Sequence, residues 1–216
     1  MPKIFVINIS DERWARYKQD ERFNRWIGKD GRDLDMEFVN NHYINMWNAR
    51  ELHKRCVAGC SESHLSLLQH IYENKINDVI ILEDDVDIDF DRLDILKDVN
   101  EFCYLGGHFQ GRTLKHKAHT GLLFEGVNTI TPFTHTIAGA YGYYIPTYDI
   151  AESLYINIMS KVKRRGFDCE LRRLQKGDKI RKYIYPAIVE LYLPVAQNGF
   201  SCQSSNFKLT DSKKYY

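Results

Sequence analysis

Apolar and polar positions along the chain alternate between short β-rich runs and longer helical stripes. KIFVINI (3–9) reads as a first strand. Ser10 is placed to cap a following helix, with Asp11 and Glu12 in its first turn and Trp14, Tyr17 and Phe23 along it. GKDGRD (28–33) is a polar turn. SESHLSLLQHIYENK (61–75) sets Leu65, Leu68, Ile71 and Tyr72 on one helical face. DVIIL (78–82) is an unbroken apolar run, as expected of a strand buried on both faces of a parallel sheet. A short helix is expected from Asp91 to Val99, then strands in FCYLGG (102–107) and AGAYGYYIP (138–146). Helices are expected over 148–163 and at the end of 165–177, and short strands and turns from 184 onward. The basic stretch 111–123 reads as a loop. Strands alternating with helices predict an α/β fold with a mostly parallel central sheet flanked by helices. No repeat or linker interrupts it, so 1–216 reads as one domain, with a first half to about residue 107 and a second from 108.

Composition narrows the partners. The 216 residues carry 30 basic and 29 acidic side chains, a net charge of +1, so no global field points to nucleic acid or a membrane. No stretch approaches the apolar length of a membrane span, and the first ten residues read as a strand rather than a signal peptide. The five cysteines (56, 60, 103, 169, 202) are scattered and odd in number, which suggests a reducing, cytoplasmic compartment; a viral protein in host cytosol would look the same. Cys56 and Cys60 lack a partner pair at zinc spacing and read as buried thiols.

The informative stretch is IILEDDVDID (80–89), where Glu83, Asp84, Asp85, Asp87 and Asp89 crowd behind a buried strand. Like charges so close raise one another's pKa. Ligands of open α/β sheets bind beyond the carboxyl ends of strands, which is where these acids fall. A divalent cation would relieve their repulsion, and hard cations such as Mn²⁺ or Mg²⁺ prefer oxygen ligands. Such a cation would neutralise the charge of a leaving nucleotide diphosphate. The competing explanation is a solvated strand-to-helix loop, the class to which Asp89 and Asp91 are assigned. An apolar strand followed by spaced acids resembles the Asp-x-Asp arrangement of GT-A nucleotide-sugar transferases. LEDDV places Glu83 and Asp85 on that pattern, and Asp85-Val86-Asp87 spells it in a second register.

The surroundings extend the likeness. AGCSESHLSLLQHI followed by VIILEDDV resembles glycosyltransferase family 25, the lipooligosaccharide and collagen-type enzymes, through Gly59, Cys60, Ser63 and His64 and then Glu83, Asp84 and Asp85. FVINI with Arg13 and Arg16, GKDGRDL, YLGG, AGAYGYYIP, Asp168 and PVAQNGFSCQSS resemble further elements of that family in its order. Two departures stand out: VAGC replaces the usual G-E-x-G-C, and the acceptor half is short. Among small members, the chain is most similar to glycosyltransferases of large algal viruses, which decorate capsid glycans.

The resemblance implies a single GT-A-like domain, a nucleotide-sugar donor (a UDP-sugar), a divalent metal (Mn²⁺ or Mg²⁺) and a glycan or glycoprotein acceptor. Asp85 is the expected metal ligand and Asp87 the reserve; Glu83 or Asp84 would hold ribose or a metal-bound water. Ile7 and Asn8 sit where a base can rest, and an Asn side chain offers both donor and acceptor to a uracil edge. Arg13 and Arg16 suit a diphosphate, although on an exposed helix either is equally a solvated side chain. Ser63 and His64 would contact ribose or order the acidic turn, with His64 favoured as a structural hydrogen-bonder. Gly106 and Gly107 would let backbone approach the donor sugar. Asp168 is the candidate base on the acceptor side of an inverting transfer, or a loop residue paired with Arg164, Arg165 or Arg172. Gln197 and Ser201 would line the same cleft, and spacing does not choose among His108, His116, His119 and His135. Two rival functions use the same acids: a metal-dependent phosphoesterase or nucleotidyltransferase, and a silent nucleotide- or glycan-binding module.

Overall fold

Two continuous apolar runs, β1 (Lys3–Asn8) and β3 (Val79–Glu83), lie side by side and parallel, buried on both faces. The computed structural model describes residues 1–44, 50–110, 126–129, 136–177, 179–185 and 187–191. The loop at 111–123 and residues His116, His119, His135, Gln197 and Ser201 lie outside them.

The other elements are α1 (Asp11–Trp14), β2 (Phe23–Ile27), α2 (Met36–His42), α3 (Glu51–Glu73), β4 (Val86–Ile88), β5 (Cys103–Gln110), β6 (Gly126–Thr129), β7 (Thr136–Ile145), α4 (Tyr148–Met159), α5 (Phe167–Lys176), β8 (Lys182–Tyr185) and β9 (Val189–Leu191). Among the described residues, seven strands form one sheet in the order β2-β1-β3-β7-β5-β8-β6, and β4 pairs separately with β9. Five of the seven run in one direction; β7 and β6 oppose their neighbours. The sheet is thus mostly parallel, with β7 entering antiparallel between β3 and β5.

Successive residues of the central strands feed opposite faces, as the period of two requires. Phe5, Ile7, Val79 and Ile81 pack with Leu65, Leu68 and Ile71 of α3 and with α4 and α5. Ile4, Val6, Ile80 and Leu82 pack on the other face with Tyr17, Val86, Leu93, Leu96 and Val189. Val79 to Leu82 are fully buried, each worth about 1.5–3 kcal/mol relative to exposure. That makes β3 a rigid base for the acids that follow it.

Three expectations are corrected. The first helix stops after Trp14, and Phe23 opens a strand, β2, parallel to β1. Tyr17 leaves the helical path because its hydroxyl donates to Val86 O at 2.6 Å and its ring packs edge-on to Phe23. Second, α3 begins at Glu51, well before the apolar stripe, so Ser63 and His64 are mid-helix. Third, the stretch Phe90–Asp98 is a 3-10 helix, capped by the Asp89 carboxylate accepting from Asp91 N–H.

Candidate active site at the carboxyl edge of the sheet

β1 and β3 run parallel and end together. Ile7 lies opposite Glu83, and the next residue of each chain, Asn8 and Asp84, leaves the pairing at the same edge. Asp84 and Asp85 then make a tight turn into β4. The apolar run buries the strand, and its end delivers three consecutive acids to the rim.

Asp84 turns inward. Asn8 Nδ2 donates to its Oδ2 at 2.6 Å, and Arg13 Nη1 donates to its Oδ1. Arg13 is not a solvated helix residue: it is 9% exposed and locked in this ion pair. Ser10 fixes the approach, since its hydroxyl accepts from Arg13 N–H and starts α1. Burial pushes the Asp84 carboxyl up, while Arg13 and Asn8 draw it back down. With both oxygens taken, Asp84 holds the turn in place. Three groups of this cluster stay buried without a hydrogen-bond partner: Asn8 Oδ1, the Nε and Nη2 of Arg13, and Asp85 Oδ1. Burying such groups unsatisfied costs about 1–3 kcal/mol each. Ile7 itself is packed in the core, so only its backbone is available at the edge.

Asp85 is the acid under most strain. Burial, then the neighbouring Glu83, raises its pKa to about 7, against the pull of Arg13. Asp87 is different: it projects from β4, its side chain is 64% exposed, and Arg16 Nη2 donates to its Oδ1 at 2.6 Å. The two registers read from sequence are thus unequal. Glu83 and Asp85 are half-buried, whereas Asp87 is a surface ion pair.

α3 frames the site from below. A Cβ on Gly59 would lie 2.6 Å from Gly31 N and 2.8 Å from Lys29 O, so only glycine lets the 28–31 turn lie on the helix. Ser63 secures that turn: its hydroxyl accepts from Lys29 N–H and donates to Gly59 O, both at 2.7 Å. One turn apart on the adjoining face, Cys60 and His64 approach Glu83. His64 Nε2 is 3.4 Å and Cys60 Sγ 3.9 Å from Glu83 Oε1, while His64 Nδ1 lies 2.8 Å from the Tyr143 hydroxyl. Cys56 is a buried thiol as expected, but Cys60 sits among the carboxylates. Its thiol is pushed well up by burial and then by Glu83, Asp168 and Asp85.

Asp168 is thus within electrostatic reach of the Cys60 thiol. Asp168 is in the first turn of α5, not in a loop. The start of α5 is pinned where Ser61 Oγ accepts from Phe167 N–H at 2.9 Å and where the Phe167 ring stacks on His64 at 4.3 Å. Farther along, Gln175 binds both backbone groups of Ile137 and the Tyr104 hydroxyl, fixing α5 to β7 and β5. Of the three arginines considered as partners, Arg164 is engaged elsewhere, in an ion pair with Glu62.

Gly106 and Gly107 interrupt the β5–β7 register. A Cβ on Gly106 would fall 2.2 Å from Val189 O, so its bare face is already filled by β9 rather than open to a sugar. Gly107 has φ +156, with Ile137 against the missing side chain. Sequence reasoning missed Cys60 and Tyr143 as neighbours of the acids; the i, i+4 spacing of Cys60 and His64 was the available signal.

Among the described residues, no helix is long and apolar enough to cross a membrane. No curated protein matches the chain. The family model described as glycosyltransferase family 25 (LPS biosynthesis protein) matches residues 1–163, which takes in both strand ends, α1, the Gly59–His64 segment of α3 and the acidic turn. The chain belongs to glycosyltransferase family 25.

Proposed function

We propose that this family member is a metal-dependent glycosyltransferase that moves a sugar from a nucleotide-sugar, most consistently a UDP-sugar, to a glycan or glycoprotein acceptor. One observation carries the reading. At the carboxyl edge of two parallel strands, Asp85 keeps a buried carboxylate oxygen without a partner beside Glu83, while Asp84 is tied down by Asn8 and Arg13. The donor set is all oxygen and carries surplus negative charge, which fits a hard divalent cation such as Mn²⁺ or Mg²⁺. Asp85 would hold it, with Glu83 beside it. When bound, the cation supplies charge neutralisation for the departing diphosphate.

The chain's own residues do the rest. Asn8 Oδ1 accepts a hydrogen bond from the donor's base or ribose, and the unsatisfied N–H groups of Arg13 donate to phosphate oxygens. The Ser10 cap and the Asp84 pair hold Arg13 for that contact before the donor arrives. Ser63 positions the 28–31 turn, and His64 orients Glu83. Asp168 accepts the proton of the acceptor hydroxyl as that oxygen attacks the sugar. The acceptor class follows the resemblance to small algal-virus enzymes, a capsid glycan among them.

The test is product release. The intact chain with Mn²⁺ and a panel of UDP-sugars is expected to release UDP, with no phosphate from a generic phosphate ester. Phosphate release from the ester would favour the phosphoesterase, and nucleotide binding without any turnover the silent module.

A further inference from the structure

We propose that Cys60, His64 and Glu83 form a second cation site, of the zinc class, beside the strand-end acids. Cys60 Sγ, His64 Nε2 and Glu83 Oε1 all lie within 4.8 Å of one another. Tetrahedral zinc, with bonds of about 2.0–2.1 Å to nitrogen or oxygen and about 2.3 Å to sulfur, requires N···O and S···O edges of about 3.3 and about 3.6 Å. The corresponding separations are 3.4 and 3.9 Å. The nitrogen–oxygen edge already fits, the sulfur–oxygen edge closes with a few tenths of an ångström of side-chain movement, and the sulfur–nitrogen edge, within 4.8 Å, closes by rotation of the Cys60 side chain. The alternative, a direct His64–Glu83 hydrogen bond, prefers about 2.7–3.2 Å. At 3.4 Å the pair is at the long end of a hydrogen bond and matches the edge of a tetrahedral zinc site.

The support around the ligands is of the kind metal sites use. Cys60 and His64 are one turn apart on α3, deep in a 23-residue helix. The ring of His64 is 1% exposed and is held flat on Phe167. When Tyr143 Oη accepts from Nδ1–H, the Nε2 lone pair is left facing Glu83 and Cys60. Tyr143 is fixed by its place in β7, opposite Ile81 of β3 and Tyr104 of β5. The Glu83 side chain is 29% exposed, which leaves an entry path and a fourth position open to solvent.

Ligand chemistry separates this site from its neighbour. A thiolate and an imidazole select Zn²⁺ or Co²⁺ over Mg²⁺ and Mn²⁺, whereas the Asp85 side offers oxygen alone. On coordination the Cys60 S–H bond breaks, sulfur keeps the electron pair, and the proton leaves to solvent, one per ion bound. The site does not depend on the transferase reading, since it needs neither nucleotide nor sugar.

Co²⁺ is the probe, titrated into the intact, chelator-stripped chain and followed by absorption. The expected result is one equivalent bound, with a thiolate-to-cobalt charge-transfer band and tetrahedral d–d bands that zinc bleaches. Cys60→Ser should abolish the charge-transfer band, and Cys169→Ser should leave it in place. Tyr143→Phe, which removes only the partner of Nδ1, should weaken Co²⁺ binding about 10- to 100-fold. If Cys60→Ser does not fold, Glu83→Gln at the partly exposed rim carries the test, with weakened binding expected. No thiolate band in folded wild-type protein, or a band untouched by Cys60→Ser or by Glu83→Gln, overturns the proposal.

Discussion

Replacing Asp85 with asparagine is expected to stabilise the metal-free protein at neutral and higher pH. The carboxyl titrates near 3.8 in an ordinary setting and near 7 in the fold, because burial and Glu83 disfavour its charged form. Below 3.8 both the folded and unfolded chains carry the proton, and the fold has its full stability from this group. As pH rises, the unfolded chain ionises first, while the folded chain keeps its proton until about 7. Stability is therefore lost across that window and is flat above it. At about 1.4 kcal/mol per unit, the gap bounds the loss at about 4 kcal/mol. The turn is partly open to water, so about 2 kcal/mol is the working figure. Asparagine keeps the shape and cannot ionise.

Urea unfolding of both proteins, in chelator, at about pH 4.5 and about pH 8 reads the Asp85 carboxyl together with its interaction with Glu83, because titrations remote from the turn cancel in the difference. The variant should gain about 2 kcal/mol on wild type between the two conditions. Added Mn²⁺ should favour wild type alone, since only the carboxylate gives the cation a charged ligand. A wild-type-to-variant difference that does not change with pH would refute the reasoning that places a strained carboxylate at this turn.

Two further substitutions test the scaffold. Arg13→Gln leaves the buried Asp84 without its counter-charge and should cost about 3–5 kcal/mol in urea unfolding; a loss within error would mean that Arg13 is not the internal clamp. Gly59→Ala forces a methyl group to within 2.8 Å of the 28–31 turn and should cost about 1–3 kcal/mol, read as a lower Tm; an unchanged Tm would show that helix and turn do not pack so closely.

Much of this was legible in the chain. VIIL is buried on both faces, and Leu65, Leu68 and Ile71 face the sheet, because an apolar run and a helical stripe are signals carried by neighbours in sequence. Other features come from contacts distant in sequence. Phe23 was read into a helix because FNRWI has no clean alternation; pairing with β1 makes it a strand. The antiparallel entry of β7 leaves no periodic mark, since strand direction is set by the connections and not by the side-chain pattern. Arg13 looked solvated because its partner is 71 residues away. Gly106 looked free for a ligand because Val189, which fills its face, arrives from the far end of the second half. Within the acidic stretch itself, the sequence could not say which carboxylates turn inward: Asp84 is bound to Asn8 and Arg13, Asp87 to Arg16, and only Asp85 is left with an unpartnered buried oxygen.

The most direct measurement is calorimetric titration of UDP, GDP and CMP into the intact chain, with Mn²⁺ and again with EDTA. Binding of UDP that needs Mn²⁺, disappears in EDTA and is absent from a folded Asp85→Asn variant is the predicted result. Folded wild-type protein that binds no nucleotide in either condition, or binds UDP equally well in EDTA, would contradict a metal-dependent nucleotide site at the end of β3.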